Sequence, residues 1–154
     1  MPSLSSVHRA VQSTLASKRI GKVVFVRYVV QGKGAADVAL AKLAVAVTEV
    51  GNWIGSPLDK VYGLRGDGGH VSLTLQFRDG ATALVNFAHG PARGDGVDLL
   101  VLGNHGAIYH DAGTASLWDE EASVAEKANP ALVAAIERAL RSGKPETVGK
   151  EGRP

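Results

Sequence analysis

The chain has 154 residues, of which 45% are hydrophobic and 21% charged, with a formal net charge of +2 and no cysteine. That length and balance suit one globular domain able to bury a core. The lack of cysteine excludes disulfides, thiolate catalysis and Cys-ligated metal, and fits a reducing compartment. Charge is unevenly placed: residues 1–36 hold six basic residues (Arg9, Lys18, Arg19, Lys22, Arg27, Lys33) and no acid. Such a start can mark an organelle address or a nucleic-acid arm. Here Val23, Val24, Phe25 and Val26 stand among the basic residues, so a helix and strand with solvated charges is expected instead. No apolar run approaches the roughly 20 residues that span a bilayer. The expected setting is cytoplasmic, away from nucleic acid and membrane.

Ser5 and Ser6 suit a helix start, and Val7, Val11 and Leu15 follow at helical spacing. Gly21 is expected to stop that helix. Residues 22–31, rich in Val, Phe and Tyr, read as a strand that is apolar on both faces and hence central. The longest helix is expected over 35–54. Leu43, Val47, Val50 and Ile54 form one apolar stripe, and Val38, Ala41 and Val45 a second. Lys42 and Glu49, seven apart, mark a narrow polar line. A helix this apolar is covered on more than one side.

Gly55-Ser56-Pro57 ends the helix, and the pattern changes to period two. A strand is expected over 58–64 and a Gly/Asp turn over 65–69. Val71, Leu73, Leu75 and Phe77 then alternate with His70, Ser72, Thr74 and Gln76, the pattern of a half-buried strand. Asp79-Gly80 signals a hairpin into a partner strand over 81–88. Three more short strands are expected at 97–102, 107–110 and 115–118. The last helix has the clearest boundaries: Asn129 at the cap, Pro130 in the first turn, Gly143 past the end, then Pro145. Leu132, Ile136 and Leu140 form its apolar stripe. Residues 145–154 read as a flexible tail. The order predicts an α+β fold over 1–154: a single, mostly antiparallel, open-faced sheet of about six strands with helices packed on one face.

Four stretches carry a resemblance. They are "LASKRIGKVVFVRYVV", "NWIGSPLDKVYG", "LQFRDGATALVNFAHG" followed by "VDLLVLGNHGAIYHDAG", and "ALVAAIERALRSGKP". In this order and spacing, over most of residues 10–145, the chain resembles the C-terminal sheet domain of the Gfo/Idh/MocA oxidoreductases. In that family a nicotinamide cofactor sits on a separate Rossmann half, opened by a strand, a G-x-G-x-x-G turn and a helix. No stretch here fits that turn: Gly66, Gly68 and Gly69, like Gly103 and Gly106, fall between expected strands. The Glu-Lys-Pro joining the family's halves is absent; Lys144-Pro145 follows Gly143. The family's long helix carries an Asp and a His four residues apart. Counted back from Gly55, those positions fall on Ala41 and Val45, and neither can move a proton. No catalytic residue, cofactor or metal site is therefore expected.

Other chemistry is sparse. His8, His70, His89, His105 and His110 show no metal-ligand spacing. Asp119, Glu120 and Glu121 read as a solvated loop, and Trp53 and Trp118 as core or interface residues. There is no G-x-S-x-G. The leading expectation is a domain that is not an enzyme on its own and that self-associates as a homodimer or higher oligomer. The uncharged face His70, Ser72, Thr74 and Gln76, continued by Leu84 and Asn86, would be its interface, with the parity of the second strand left open. One alternative is a substrate-binding subunit of an NAD(P)-dependent oxidoreductase completed by a separate Rossmann partner. Another is a binder of a small sugar-like molecule.

Overall fold

A computed structural model describes residues 4–32, 36–89, 96–111 and 128–148. Helix α1 (Leu4–Ala16) begins a residue before the expected serine caps, so Ser5 and Ser6 lie inside it. It buries Val7 and Val11. Lys18 and Gly21 then take positive φ, 61° and 73°, and turn the chain into β1 (Val23–Gly32). Helix α2 (Ala36–Ile54) follows, then β2 (Leu58–Arg65) and a short 3-10 turn at Asp67–Gly69. Next come β3 (Val71–Phe77), β4 (Thr82–His89), β5 (Gly96–Gly103) and β6 (Ala107–Asp111). Helix α3 (Pro130–Ser142) and the two-residue β7 (Glu146–Thr147) close the described chain. The strand expected at 115–118 lies outside the described residues.

The strands form one seven-stranded sheet in the order β6-β5-β1-β4-β3-β2-β7. All pairings are antiparallel except β1 with β4, which is parallel. The central place expected for β1 is observed, and its apolar character on both faces is consistent with that position. The hairpin turn is also as expected, with Gly80 at φ 95° and Asp79 Oδ1 accepting from Ala81 N at 2.9 Å. The stretch read as a loose tail departs from expectation at its start. Glu146 and Thr147 pair with Val61 and Lys60, and Val148 N donates to Asp59 O at 2.7 Å. An edge strand needs only backbone groups for such pairing, and two polar residues give no apolar pattern to read.

Three helices among the described residues cover one face of the sheet. α2 packs on β1 and β4, α1 packs on α2, and α3 packs on α2 and β2. Beneath them lie Val26, Tyr28, Val30, Val61, Leu73, Leu75, Ala83, Val85, Leu99 and Val101, all buried. Gly63 allows the close approach of α3: a Cβ there would stand 2.9 Å from Leu140 Cδ2. Asn129 caps α3 by accepting from Ala131 N at 3.0 Å, and Gly143 ends it at φ 63°. These are the roles the sequence predicts. The expected polar line on α2 is not a solvated one. Lys42 is buried, 1% exposed, and Glu49 is half-buried. With α1 on one side and the sheet on another, few positions around α2 reach water.

Candidate functional site

The pairing registers fix which side chains share the open face of the sheet, because successive residues of a strand point to opposite faces. Ser72, Thr74 and Gln76 alternate with the buried Val71, Leu73, Leu75 and Phe77, so they lie on the face without helices. The register of β4 settles the parity that the sequence left open. Leu84 pairs with Thr74, Asn86 with Ser72 and Thr82 with Gln76, which places all six on that face. His70 stands just before β3 and is exposed, at the rim of a depression of about 440 Å³ shared with Ser72 and Asn86. Ser72 Oγ donates to Asn86 Oδ1 at 2.8 Å.

Following the pairs across the sheet gives three rows. The middle row runs Tyr109, Leu100, Arg27, Leu84, Thr74, Tyr62 from β6 to β2. On one side of it lie Ala107, Leu102, Phe25, Thr82, Gln76 and Lys60. On the other lie Asp98, Val29, Asn86, Ser72 and Leu64. The face is thus broader and less neutral than its expected residues implied. Arg27, Lys60 and Asp98 bring charge, and Phe25, Tyr62 and Tyr109 bring rings. Sequence reasoning missed Phe25 and Arg27 because β1 is apolar on both faces and offers no parity. The signal that could have found them was Arg27, the one charge in an apolar run, which must face away from a core.

The positions where the family resemblance places its acid and base sit on α2. Ala41 is buried and Val45 half-buried. Neither side chain can exchange a proton, so α2 presents no acid–base pair at those two places.

The titratable groups that the structure does gather lie between α1, α2 and β1. His8 Nε2 stands 2.7 Å from Tyr28 Oη, and its Nδ1 is 3.8 Å from Glu49 Oε2. The Tyr28 and Trp53 rings stack at 6.0 Å, and the His8 ring meets both edge-on. Burial pushes the Glu49 carboxyl above its ordinary value. Burial first, and the nearby Glu49 charge second, push the Tyr28 phenol up. Both shifts disfavour the ionised forms. Tyr28 is 0% exposed, so this network is a hydrogen-bonded core element with no room beside the phenol for a substrate. Trp53 fills core, as its residue type suggested.

A groove of about 510 Å³ opens between α2 and α3, floored by Val47, Leu58, Phe77 and Leu132. Its polar groups, among them Asn52 and Arg138, do not converge with any of the expected site residues. No group of three or more His, Asp or Glu side chains among the described residues is placed to hold a metal. His105 and His110 belong to the β5–β6 region, and the side chain of His89 lies outside the described residues, as do Trp118 and Asp119 to Glu121. No helix among the described residues is long and apolar enough to cross a membrane.

No protein-family model matches the sequence, and no curated protein matches it. Solved structures do. A myo-inositol dehydrogenase from Corynebacterium glutamicum matches with a TM-score of 0.72 at 12% identity, over 92% of this chain and 61% of that one. A putative myo-inositol dehydrogenase from Sinorhizobium meliloti matches at 0.71 and 15%, over 92% and 62%. The myo-inositol dehydrogenase of Lactobacillus casei, solved with NAD(H) and myo-inositol, matches at 0.71 and 15%, over 96% and 60%. The chain thus spans about 60% of the length of the dehydrogenases it matches. At such identities the likeness is one of fold alone, and it agrees with the resemblance to the C-terminal sheet domain of the Gfo/Idh/MocA oxidoreductases read in the sequence.

Proposed function

We propose that this oxidoreductase-type sheet domain serves in assembly and not in catalysis, associating with a second copy of itself through the open face of the sheet in a cytoplasmic setting. One observation carries the reading. The large hydrophobic side chains left exposed among the described residues are Val24, Leu64, Leu102 and Tyr109, and all lie on strands of the sheet. Leu64, Leu102 and Tyr109 share the open face with Leu84, Leu100 and Val29. Apolar groups grouped on one surface and interleaved with short polar ones suit a partner surface better than water. A two-fold arrangement makes such a surface complementary to itself. The non-catalytic half of the reading is supported by Ala41 and Val45, which cannot serve as acid or base.

Light scattering at micromolar concentration tests the association. A mass at least twice the 16.0 kDa of one chain is expected, and a mass of one chain refutes the proposal. Thr74→Arg is expected to return the protein to the single-chain mass while leaving its melting temperature near the parent's. Calorimetry with NAD and NADP is expected to show no binding. A micromolar dissociation constant for either would overturn the non-catalytic half.

The likeness of fold to a dehydrogenase solved with NAD(H) supports a second reading, that of a subunit working with a nucleotide-binding partner. It predicts dehydrogenase activity on mixing with an isolated Rossmann domain, which the first reading does not.

A further inference from the structure

We infer that the two-fold axis of the self-associated form runs across the strands, between the row of Arg27 and the row of Phe25, so that every strand of the open face packs on its own copy. This rests on the proposed sheet-face association and supplies its geometry. When two copies face each other through one sheet surface, the axis lies in the plane midway between them. With the strands of the two copies aligned, it runs either along the strands, which exchanges strands left for right, or across them, which exchanges rows.

The charges of the face select among these placements. Arg27 occupies the middle row on the central strand. An axis through that residue in either direction stacks Arg27 on the partner's Arg27, a like-charge contact. An axis along the strands between β1 and β4 sets Arg27 on the partner's Leu84 and Lys60 on the partner's Ala107, which desolvates both cations against aliphatic groups. An axis across the strands between the Arg27 and Val29 rows sets Leu100 on the partner's Asp98. Two placements give both cations an aromatic face. Along the strands between β3 and β4, Arg27 meets the partner's Tyr62 and Lys60 the partner's Phe25. Across the strands between the Arg27 and Phe25 rows, Arg27 meets the partner's Phe25 and Lys60 the partner's Tyr62.

The apolar residues decide between these two. The first placement sends Leu100 and Leu102 over the short edge strand β7, and Tyr109 past the sheet altogether. The second lays Leu100 on the partner's Leu102, Tyr109 over the partner's Ala107, and Leu84 on the partner's Thr82. It therefore covers the exposed Leu102 and Tyr109 while keeping both cation–ring contacts.

The chain has no cysteine, so single cysteines report the axis directly. Tyr62→Cys on β2 and Tyr109→Cys on β6 mark opposite sides of the sheet, about 24 Å apart within one chain. With the axis across the strands, each cysteine lies about 12 Å from its own copy. A bismaleimide of that reach should link both variants into covalent dimers. An axis along the strands can bring at most one of the two near its copy, so linking of one variant alone overturns the inference. Linking of neither, in a protein that light scattering shows to be dimeric, also overturns the inference, and Thr74→Arg then decides the sheet-face reading: a mass unchanged by that substitution refutes it. A single-chain mass refutes the association before geometry arises. Lys60→Cys and Leu102→Cys, exposed on β2 and β5, repeat the test if a tyrosine variant melts early.

Discussion

The two faces of the sheet are built from the same strands, yet they obey different constraints. The helix-covered face is aliphatic, with Leu73, Leu75, Val85 and Val101 fully buried. The open face mixes Leu84, Leu100, Leu102 and three rings with Thr74, Ser72, Gln76 and Asn86, and holds only a few charges. A face meant for water commonly carries more Lys and Glu, and a face meant for core excludes Arg27. The open face resembles neither. Packing alone dictates the inner composition, whereas the outer one reflects what it meets in solution.

Two leucines on adjoining strands sharpen the contrast. Leu75 points under the helices and Leu84 away from them. Leu75→Ala should cost about 2–5 kcal/mol, because it leaves a cavity in a fully buried site. That corresponds to a fall of roughly 10 °C in thermal melting. Next in size comes Val45→Asp on the half-buried side of α2. A carboxylate without a partner there should cost about 1–3 kcal/mol, and an unchanged melting temperature would show that the position reaches water. Leu84→Ala should alter the melting of the single chain by less than about 1 kcal/mol. Its effect should appear in sedimentation instead, as association weakened about tenfold, an effect of roughly 1.4 kcal/mol. Equal melting losses for the two leucines would erase the distinction between the faces.

The smallest expected effect concerns pH. Burial raises the Glu49 carboxyl, so the folded chain holds its proton more tightly than the unfolded chain does. The resulting stabilisation is present below the ordinary carboxylate range and is lost as pH rises through the raised value. Glu49→Gln removes that loss. Its melting temperature should exceed the parent's by about 2 °C at pH 7, and the gain should vanish near pH 4.

Much of this architecture is legible in the residues, and the reasons are local. Asn129, Pro130 and Gly143 bound α3 because each suits a specific backbone position. The alternation from Val71 to Phe77 gives both the strand and its open-face residues. What escapes the sequence depends on distant partners. Nothing near Val23–Gly32 says that its neighbours are β4 and β5, or that one of those pairings is parallel. Lys42 reads only as part of a narrow polar line, and its burial shows once α1 and the sheet close around α2. The site was legible on β3, half-legible on β4, and unreadable on β1, where apolar residues on both faces hide the direction of each side chain.

The position of β1 also bears on how the chain is made. Its partners begin at Thr82 and Gly96, so this strand leaves synthesis long before either exists, whereas β2, β3 and β4 follow one another in sequence and in space. Pairings so remote form late, because loop closure precedes any reward. Through that interval the run VVFVRYVV stands as an apolar β-forming segment open to other chains. Arg27 interrupts it at mid-length, and a single charge at such a point deters intermolecular stacking. The residue that shapes the open face of the finished sheet thus also guards the nascent chain before the sheet exists.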